Sequence, residues 1–316
     1  MYSRKRLDVQ WKDVFADPAY LLIPRDRDHY GRAVESRFAA AGHGLATLSV
    51  RTGFDLLLGE MDWPPGSEII MSAITIPDMP RIVRHHGLVP VPVGVDARLV
   101  VPSVDAIREA IGPKTRAIVV AHLFGTRVDL TPIAALAREH GLLLIEDCAQ
   151  SYDGRPPTAP SVADVSMFSF GTIKTATAFG GAVLVMRDPG LRDAMARTQA
   201  RYPVASKRKF GLKFAKYLLL MVLTLPWLYG LFARALKFIG KDHDQFIRRS
   251  TRGFSGPNFF EAIRHRPSSP LLGILDRRLR GYDPQRVLDR RACGEELAAL
   301  LSPGVTYFGC DASEHI

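Results

Sequence analysis

The stretch LLLIEDCAQ, residues 142–150, has the pattern of a buried parallel strand that ends in acidic residues. A nearly continuous apolar run of this length is typical of a strand that is covered on both faces. Asp147 follows the run, and open α/β sheets bind their ligands beyond the carboxyl ends of their strands. The stretch therefore predicts an α/β fold with a ligand site beside Asp147.

Outward from this stretch, residues 34–186 alternate short apolar runs with segments of helical periodicity. Such alternation is the signature of βαβ units and of a mostly parallel sheet. The pattern predicts strands or strand ends at 67–72, 89–95, 116–125, 142–150, 165–170 and 181–186, and helices at 104–111 and 129–141. The second of these helices has a proline in its first turn and a glycine after its last.

Composition narrows the class of protein. The chain has 316 residues, of which 47% are hydrophobic, so it is long enough for one large domain and a smaller one. Its net charge of +10 resides in residues 201–252, which hold twelve Lys/Arg and two Asp, so no nucleic-acid partner is expected. Cys148, Cys293 and Cys310 form no CxxC pair or His/Cys cluster, which predicts neither disulfides nor a metal site and favours a cytoplasmic location. The basic N-terminus lacks the apolar stretch of an export signal.

An uncharged run of 17 residues, Tyr217–Ala233, is flanked by lysines and arginines. A membrane-spanning helix needs about 20 apolar residues, and Pro226 would break a straight span. We therefore expect two short helices that meet at TLPW (224–227), dip into one leaflet and dock residues 214–239 on an anionic membrane surface. Three aromatic residues of the run suit such an interface: Tyr217, Trp227 and Tyr229. A buried helical hairpin or a subunit contact is the alternative.

Lys174, within FSFGTIKTATAFGGA (168–182), follows the next predicted strand after Asp147, so both side chains can reach one crevice. A carboxylate for a heteroaromatic nitrogen and a lysine able to form an imine are the two groups that pyridoxal 5'-phosphate (PLP) requires. Ser169 can donate to a phosphate, and the Gly180-Gly181 pair lets backbone approach closely. Singly these signals are weak, because strand-end aspartates commonly form turns and loop lysines are commonly solvated.

Three segments together resemble a known family: LATLSVRTGFDLLL (45–58), AIVVAHLFGTRVDLTPIAALAREHGLLLIEDCAQSYDG (117–154) and ADVSMFSFGTIKTATAFGGAVLV (163–185). Residues 34–190 resemble the DegT/DnrJ/EryC1/StrS family of PLP-dependent sugar aminotransferases, and the combination of E-D-x-A-Q, S-F-x-x-x-K and G-G-A is highly specific. The resemblance implies an aspartate aminotransferase-like PLP fold (type I), with a mostly parallel central sheet flanked by helices. It also implies a homodimer with the site at the subunit interface.

The resemblance assigns roles to individual residues. Lys174 corresponds to the lysine that binds the cofactor covalently, Asp147 to the partner of the pyridine nitrogen, and Gln150 to the residue beside the phenolic oxygen. The expected cofactor-binding residues are Thr52, Gly53, Asp147, Gln150, Ser169 and Lys174. Of these, Thr52, Gly53 and Ser169 would bind the phosphate. A helix at 53–58 would add the positive end of its dipole to the phosphate site. His122, at a strand end bordering the site, and Arg266, which matches an arginine that reaches the neighbouring subunit's site, are weaker candidates. A structural hydrogen bond is the alternative role for His122.

The chain also departs from the family pattern. Ile76 stands where an aromatic residue usually stacks on the cofactor ring, and Arg51 stands where the phosphate-binding turn usually has glycine. Arg264 replaces the asparagine of the N-x-R motif that includes the arginine matched by Arg266. A helical apolar insertion precedes this motif, and the small domain after it is shortened. We therefore expect a PLP-binding domain at 1–190, the insertion at 191–254 and a partial C-terminal small domain at 255–316.

On this basis we expect a PLP-dependent transaminase that moves an amino group from an amino acid, with glutamate as the expected donor, to a nucleotide-linked keto sugar in polysaccharide or glycan biosynthesis. The substrate class comes from the resemblance alone. A sugar dehydratase is disfavoured, because Lys174 is present where such relatives typically have histidine. A non-catalytic, membrane-associated homologue is the alternative, given Arg51 and Ile76. The expected location is the cytoplasm, at the inner face of the membrane if the apolar run docks there.

Overall fold

A seven-stranded sheet organises the fold. The structure, a computed structural model, describes residues 7–23, 26–155, 157, 161–238, 253–254, 256–301, 305, 307–312 and 314–315. The strands are β1 (Gly44–Thr47), β2 (Glu68–Ser72), β3 (Val89–Val93), β4 (Thr115–Ala121), β5 (Thr126–Arg127), β6 (Leu143–Asp147), β7 (Val165–Ser169), β8 (Ala182–Met186) and β9 (Glu314–His315). Their order in the main sheet is β1-β8-β7-β6-β4-β2-β3, and β5 pairs with β9 separately. Only β8 runs antiparallel to its neighbours β7 and β1, while the β3, β2, β4, β6 and β7 pairings are parallel.

Helices cover both faces of this sheet. They are α1 (Trp11–Ala16), α2 (Pro18–Leu22), α3 (Arg27–Glu35), α4 (Val50–Glu60), α5 (Asp78–His85), α6 (Val104–Ala110), α7 (Thr131–Glu139), α8 (Pro189–Ala200), α9 (Lys207–Leu223), α10 (Pro226–Phe238), α11 (Phe259–Ile263), α12 (Ser269–Gly281) and α13 (Gln285–Ala299). Local sequence explains several starts. The side chains of Ser49 and Ser103 accept backbone N–H groups at the first turns of α4 and α6, and α7 has a proline in its first turn.

Strand residues alternate between two hydrophobic layers. Ile69 packs in the layer that includes α4 and α5, whereas the next residue, Ile70, packs in the layer under α6 and α7. Neighbouring strand side chains point to opposite faces, so a sheet covered on both sides needs apolar residues at consecutive positions. The strands read as continuous apolar runs because both faces of the sheet are covered.

The predicted α/β class and mostly parallel sheet are confirmed, as are the six predicted strands and both helices, within a few residues at their ends. The runs at 116–125 and 142–150 leave the sheet earlier than their apolar character indicates, at Ala121 and Asp147. The predicted helix at 53–58 begins three residues earlier, at Val50. Strand β1 was not predicted, because four residues are too few to show a periodic pattern.

The apolar run folds as two helices. The predicted break at TLPW is confirmed, since α9 and α10 bend by 103° at their junction. No single helix among the described residues is long and apolar enough to span a membrane, and the bent pair meets these criteria by length and composition only. The expectation that Tyr217 and Tyr229 lie at a membrane interface is wrong, because both side chains are buried.

Helix α9 packs against the loop that carries Lys174. Its residues Phe210, Phe214, Tyr217 and Leu220 recur at helical spacing and are buried. The ring of Tyr217 stacks on Phe179 with centroids 5.4 Å apart. This half of the apolar run is therefore part of the protein core, as the alternative interpretation expected.

Candidate active site

The sheet brings Asp147 and Lys174 to the same edge. Asp147 is the last residue of β6, and Lys174 lies in the loop that follows the neighbouring parallel strand β7. The carboxyl ends of adjacent parallel strands meet at one edge, which places both residues at the ligand-binding crevice of an α/β sheet. Local hydrogen bonds position them: Asp147 Oδ1 accepts the Ala149 N–H at 2.9 Å, and the Lys174 N–H donates to the Gly171 carbonyl at 3.0 Å.

The two groups have opposite pKa shifts. Burial lowers the pKa of Lys174, and the nearby charge of Arg51 lowers it further, against the opposing effect of Asp147. Burial raises the pKa of Asp147, against the Ala149 hydrogen bond and the charge of Lys174. Each shift favours the neutral form of its group, and shifted pKa values of this kind are typical of functional sites.

Gly171 lies between Ser169 and Lys174. A β-carbon at residue 171 would lie 3.6 Å from Ser169 Oγ and 3.9 Å from Lys174 Cγ. Ser169 ends β7, so the strand end and the loop after it bring a hydroxyl that can donate to a phosphate close to the lysine.

Gln150 lies on the turn after Asp147 and is exposed. Its Oε1 accepts the N–H of Phe124 at 3.4 Å, and Phe124 is held at a positive φ of 55°. This turn places Gln150 close to Asp147, as predicted. The contact of Gln150 with a cofactor oxygen stays a prediction.

Thr52 and Gly53 already have partners in the first turn of α4. Thr52 Oγ1 donates to the Ile263 carbonyl at 2.8 Å, and the Thr52 and Gly53 N–H groups bond to Ser49 Oγ and the Ser49 carbonyl at 3.2 and 3.0 Å. Gly53 also packs on β8, because a β-carbon there would lie 2.3 Å from Leu184 Cδ1. Their role as phosphate ligands stays a prediction, and it requires these donors to change partners.

Arg51, identified from sequence only as a departure, turns out to border the site. Its Nε donates to Asp78 Oδ2 at 2.6 Å, which ties the start of α4 to the start of α5. The residue at the expected ring-stacking position, Ile76, is exposed. The sequence shows that Arg51 replaces a glycine of the family pattern, but only the fold shows that the Asp78 carboxylate bonds to it.

A buried network beneath Asp147 was missed. Glu146 accepts hydrogen bonds from His122 Nε2 at 2.8 Å, Ser161 Oγ at 2.8 Å and Ser166 Oγ at 2.7 Å. Burial would raise the pKa of Glu146, but these donors outweigh it and lower the pKa to about 2. The His122 N–H also donates to the Asp147 carbonyl at 3.1 Å, so the network supports the strand end that carries Asp147. A substrate role for His122 stays a prediction.

The network includes a possible metal-binding set. Ligand atoms of His122, Glu146 and Cys148 lie within 4.8 Å of one another, which would suit a metal ion. Both oxygens of Glu146 already accept hydrogen bonds, so we interpret the group as a hydrogen-bonded network.

Arg264, the residue in place of the family's asparagine, bonds within its own chain. Its Nε and Nη2 donate to Asp55 at 2.9 and 3.0 Å, and His86 bonds to the same buried carboxylate at 3.0 Å. The backbone of Arg266 pairs with Pro203 and Ala205, and its Nε is buried without a partner among the described residues. A role for Arg266 in a neighbouring subunit's site stays a prediction.

The profile of the DegT/DnrJ/EryC1/StrS aminotransferase family matches residues 29–214, more than half of the chain. The chain belongs to this family. The match includes β1 to β8 and every residue at the edge of the sheet described above except Arg266 and Arg264. The resemblance seen in the sequence is thereby confirmed.

Two curated relatives of this chain have names that refer to nucleotide-linked sugars. UDP-N-acetyl-3-dehydro-alpha-D-glucosamine 3-aminotransferase of Acidithiobacillus ferrooxidans is 35% identical over 167 residues, which are 51% of this chain and 45% of the relative. GDP-perosamine synthase of Caulobacter vibrioides is 31% identical over 160 residues, 50% of this chain and 43% of the relative. The chain thus spans about half the length of the curated relatives it matches.

Solved structures show the fold of this family member. The aminotransferase TlmJ from Streptoalloteichus hindustanus aligns with a TM-score of 0.67 and 22% identity over 96% of this chain and 72% of TlmJ. Other neighbours, also under 25% identical, were solved in pyridoxal or pyridoxamine phosphate forms. The predicted type I fold is confirmed by these likenesses.

The residues at the sheet edge fit PLP chemically. Asp147 provides a buried carboxylate for a ring nitrogen, and Lys174 an amine whose lowered pKa favours the reactive, neutral form. Ser169 and Arg51 provide a hydroxyl and a cation for a phosphate. PLP is the cofactor that this family and this donor set support.

Proposed function

We propose that this chain is a PLP-dependent aminotransferase that transfers an amino group from an amino acid, with glutamate as the proposed donor, to a nucleotide-linked keto sugar. The observation that carries the proposal is the pairing of Asp147 and Lys174 beyond the ends of adjacent parallel strands, where burial lowers the pKa of Lys174 and favours its neutral, reactive amine. The substrate class follows the names of the two curated relatives, each matched over less than half of its length. Polysaccharide or glycan assembly is the proposed setting.

The proposed roles follow from position. Lys174 supplies the amine that binds the cofactor and then carries a proton to and from the substrate carbon. Asp147 would hold the proton of the ring nitrogen, because a positive charge beside the carboxyl group favours its ionised form and opposes the effect of burial on its pKa. The bound cofactor supplies an electron-accepting ring. Ser169 orients its phosphate, while the Glu146 network keeps the end of β6 in place.

The absorbance spectrum tests this proposal. Protein supplied with PLP should show a visible absorption band, and the band should be absent in Lys174→Ala and present in Lys114→Ala, which removes an exposed lysine. Glutamate should then convert the visible band to one at shorter wavelength in a half-reaction without sugar. A wild-type protein that stays colourless with PLP would contradict the proposal.

We also propose that the outward side of α9 and α10 docks on an anionic membrane surface. Large apolar side chains are exposed there, including Leu219 and Leu231, each 58% exposed, and Phe238, 92% exposed. Exposed Lys207, Arg208 and Lys209 open the same helix pair. Basic residues near an anionic surface contribute about 1 kcal/mol each, and apolar side chains anchor the contact. The protein would then act in the cytoplasm at the inner face of the membrane.

Vesicle flotation tests the docking proposal. Wild-type protein should float with vesicles that contain anionic lipid and should be released by high salt. Replacing Leu219 and Leu231 with serine should reduce the bound fraction several-fold. Leu297→Ser, which changes an exposed leucine on α13, should not. Equal flotation of all three proteins would contradict the proposal.

A homodimer and the division into domains at residues 190 and 254 are further proposals. A shared site at a subunit interface is what the family resemblance implies, and Arg266 is the residue proposed to reach the neighbouring site. Light scattering during gel filtration should give twice the mass of 34.9 kDa. A monomer that binds PLP and reacts with glutamate would contradict the shared site.

A further inference from the structure

Arg51 is a cation placed at the first turn of α4 by a single carboxylate. It is the second residue of the helix, and its Nε donates to Asp78 Oδ2 at 2.6 Å. Among the residues that the structure describes, Asp78 is its only hydrogen-bond partner, and the ring of Phe254 lies 5.9 Å from its guanidinium carbon. Both Nη groups therefore remain available as donors, and Asp78 fixes their direction.

Two of the three residues expected to bind the phosphate, Thr52 and Gly53, have donors that are engaged elsewhere. Thr52 Oγ1 donates to the Ile263 carbonyl, and the Gly53 N–H lies within the helix. The positive end of the α4 dipole still favours an anion at this turn. The Thr52 hydroxyl at this turn is engaged, whereas the guanidinium of Arg51 still has free N–H donors for an anion.

Arg51 belongs electrostatically to the site. Its charge acts on both Lys174 and Asp147, lowering the pKa of each alongside the larger effect of burial. Arg51 and Lys174 carry like charges that repel more strongly away from water, and Asp78 and Asp147 offset this repulsion in part. A phosphate would offset it further and accept the free Nη donors in the two-pronged geometry that arginine favours.

We propose that Arg51 is a direct ligand of the cofactor phosphate and replaces the threonine hydroxyl of the family pattern, with Asp78 as its positioning residue. This inference rests on the proposed function, since it names how that same site holds PLP. It also reverses the sequence-based interpretation, in which Arg51 instead of glycine counted against an active enzyme.

Paired binding measurements with PLP and pyridoxal, which lacks the phosphate, test the inference on the full-length apoprotein. Arg51→Gly, which introduces the residue usual in the family, should weaken PLP binding about 10- to 100-fold and leave pyridoxal binding unchanged. Arg51→Lys should fall between, because it keeps the charge without the two-pronged geometry. Asp78→Asn should weaken PLP binding less than Arg51→Gly. Arg84→Gly, the same change at an exposed helical arginine, serves as the control.

The opposite results would overturn the inference. Arg51→Gly that binds PLP as tightly as wild type, or more tightly, would mean that Arg51 obstructs the site. An equal loss for PLP and pyridoxal, in Arg51→Gly and Arg51→Lys alike, would mean a general structural defect. A loss confined to UDP binding would place Arg51 at the phosphates of the sugar nucleotide.

Inorganic phosphate separates this inference from the proposed function. Phosphate should raise the thermal midpoint of the wild-type apoprotein and not that of Arg51→Gly, whether or not the protein takes up PLP. If wild type binds no PLP but responds to phosphate through Arg51, the aminotransferase proposal fails and the anion site stands. If phosphate stabilises both proteins equally, Arg51 is not a phosphate ligand.

Discussion

At the scale of single residues, the end of β6 holds two adjacent acids whose pKa values shift in opposite directions. Glu146 is surrounded by three donors, which lower its pKa to about 2, whereas burial without such a set raises the pKa of Asp147. Consecutive strand residues face opposite sides of a sheet, so these neighbours meet different environments. One acid anchors the strand end as a carboxylate, and the other faces Lys174.

Glu146→Gln should lower the free energy of unfolding by about 2–3 kcal/mol at pH 7, because the charged group loses donors matched to it. The lowered pKa of Glu146 stabilises the protein above its unfolded value of 4.5, and this contribution disappears as the pH falls towards about 2. The difference from wild type in urea unfolding should therefore shrink between pH 4.5 and pH 2. Glu139→Gln, at an exposed glutamate, should show no such change. Equal stability of Glu146→Gln and wild type at pH 7 would contradict the argument.

At the scale of elements, α4 joins the sheet to the site. Its inner face lies so close to β8 that Gly53 has no room for a side chain, while Gly59, one residue before the end of the same helix, is exposed. The close contact between α4 and β8 fixes the position of the first turn of α4 relative to the strand ends. Arg51 lies in this turn, so the packing of the helix on the sheet also fixes the position of Arg51.

Gly53→Ala and Gly59→Ala should change stability in opposite directions. Alanine at 53 would place its β-carbon 2.3 Å from Leu184 Cδ1 and should cost about 1–3 kcal/mol by overpacking. Alanine at 59 meets only the His86 ring at 3.4 Å and should stabilise the helix by up to about 1 kcal/mol. Denaturant unfolding of both variants provides a matched comparison. Destabilisation by both would contradict the account of Gly53 as a packing residue.

At the scale of the whole molecule, the N-terminal segment and helix α12 both contact the Lys174 loop. Asp8 accepts the Ala176 N–H at 2.8 Å, and Arg278 of α12 donates to the Thr177 carbonyl at 2.9 Å. Ala176 and Phe179 have positive φ values of 53° and 62°, a costly backbone conformation for residues other than glycine. Contacts from two segments that are distant in the chain thus maintain a strained loop at the site.

Asp8→Ala should loosen this loop. Removing the buried acceptor should cost about 1–3 kcal/mol and should speed hydrogen exchange at the Ala176 amide. Asp8→Asn should retain much of the protection, because its amide oxygen can still accept the N–H. Asp105→Ala, which alters an exposed acid on α6, is the control. Unchanged exchange at Ala176 in Asp8→Ala would mean that the loop holds its conformation without the N-terminal segment.

The sequence by itself determined six of the seven strands of the main sheet, its parallel character and the family, because apolar runs of five or six residues and the E-D-x-A-Q and S-F-x-x-x-K motifs are local patterns. It also placed Asp147 and Lys174 at one edge, since parallel topology brings successive strand ends together. Only the tertiary structure decided that Asp78 holds Arg51, that Ile263 takes the Thr52 hydroxyl and that Tyr217 is buried on Phe179. Arg51 and Asp78 are 27 residues apart in the chain, and Thr52 and Ile263 are 211 residues apart. The burial of Tyr217 depends on which face of its helix meets the core. A local sequence pattern contains no information on either.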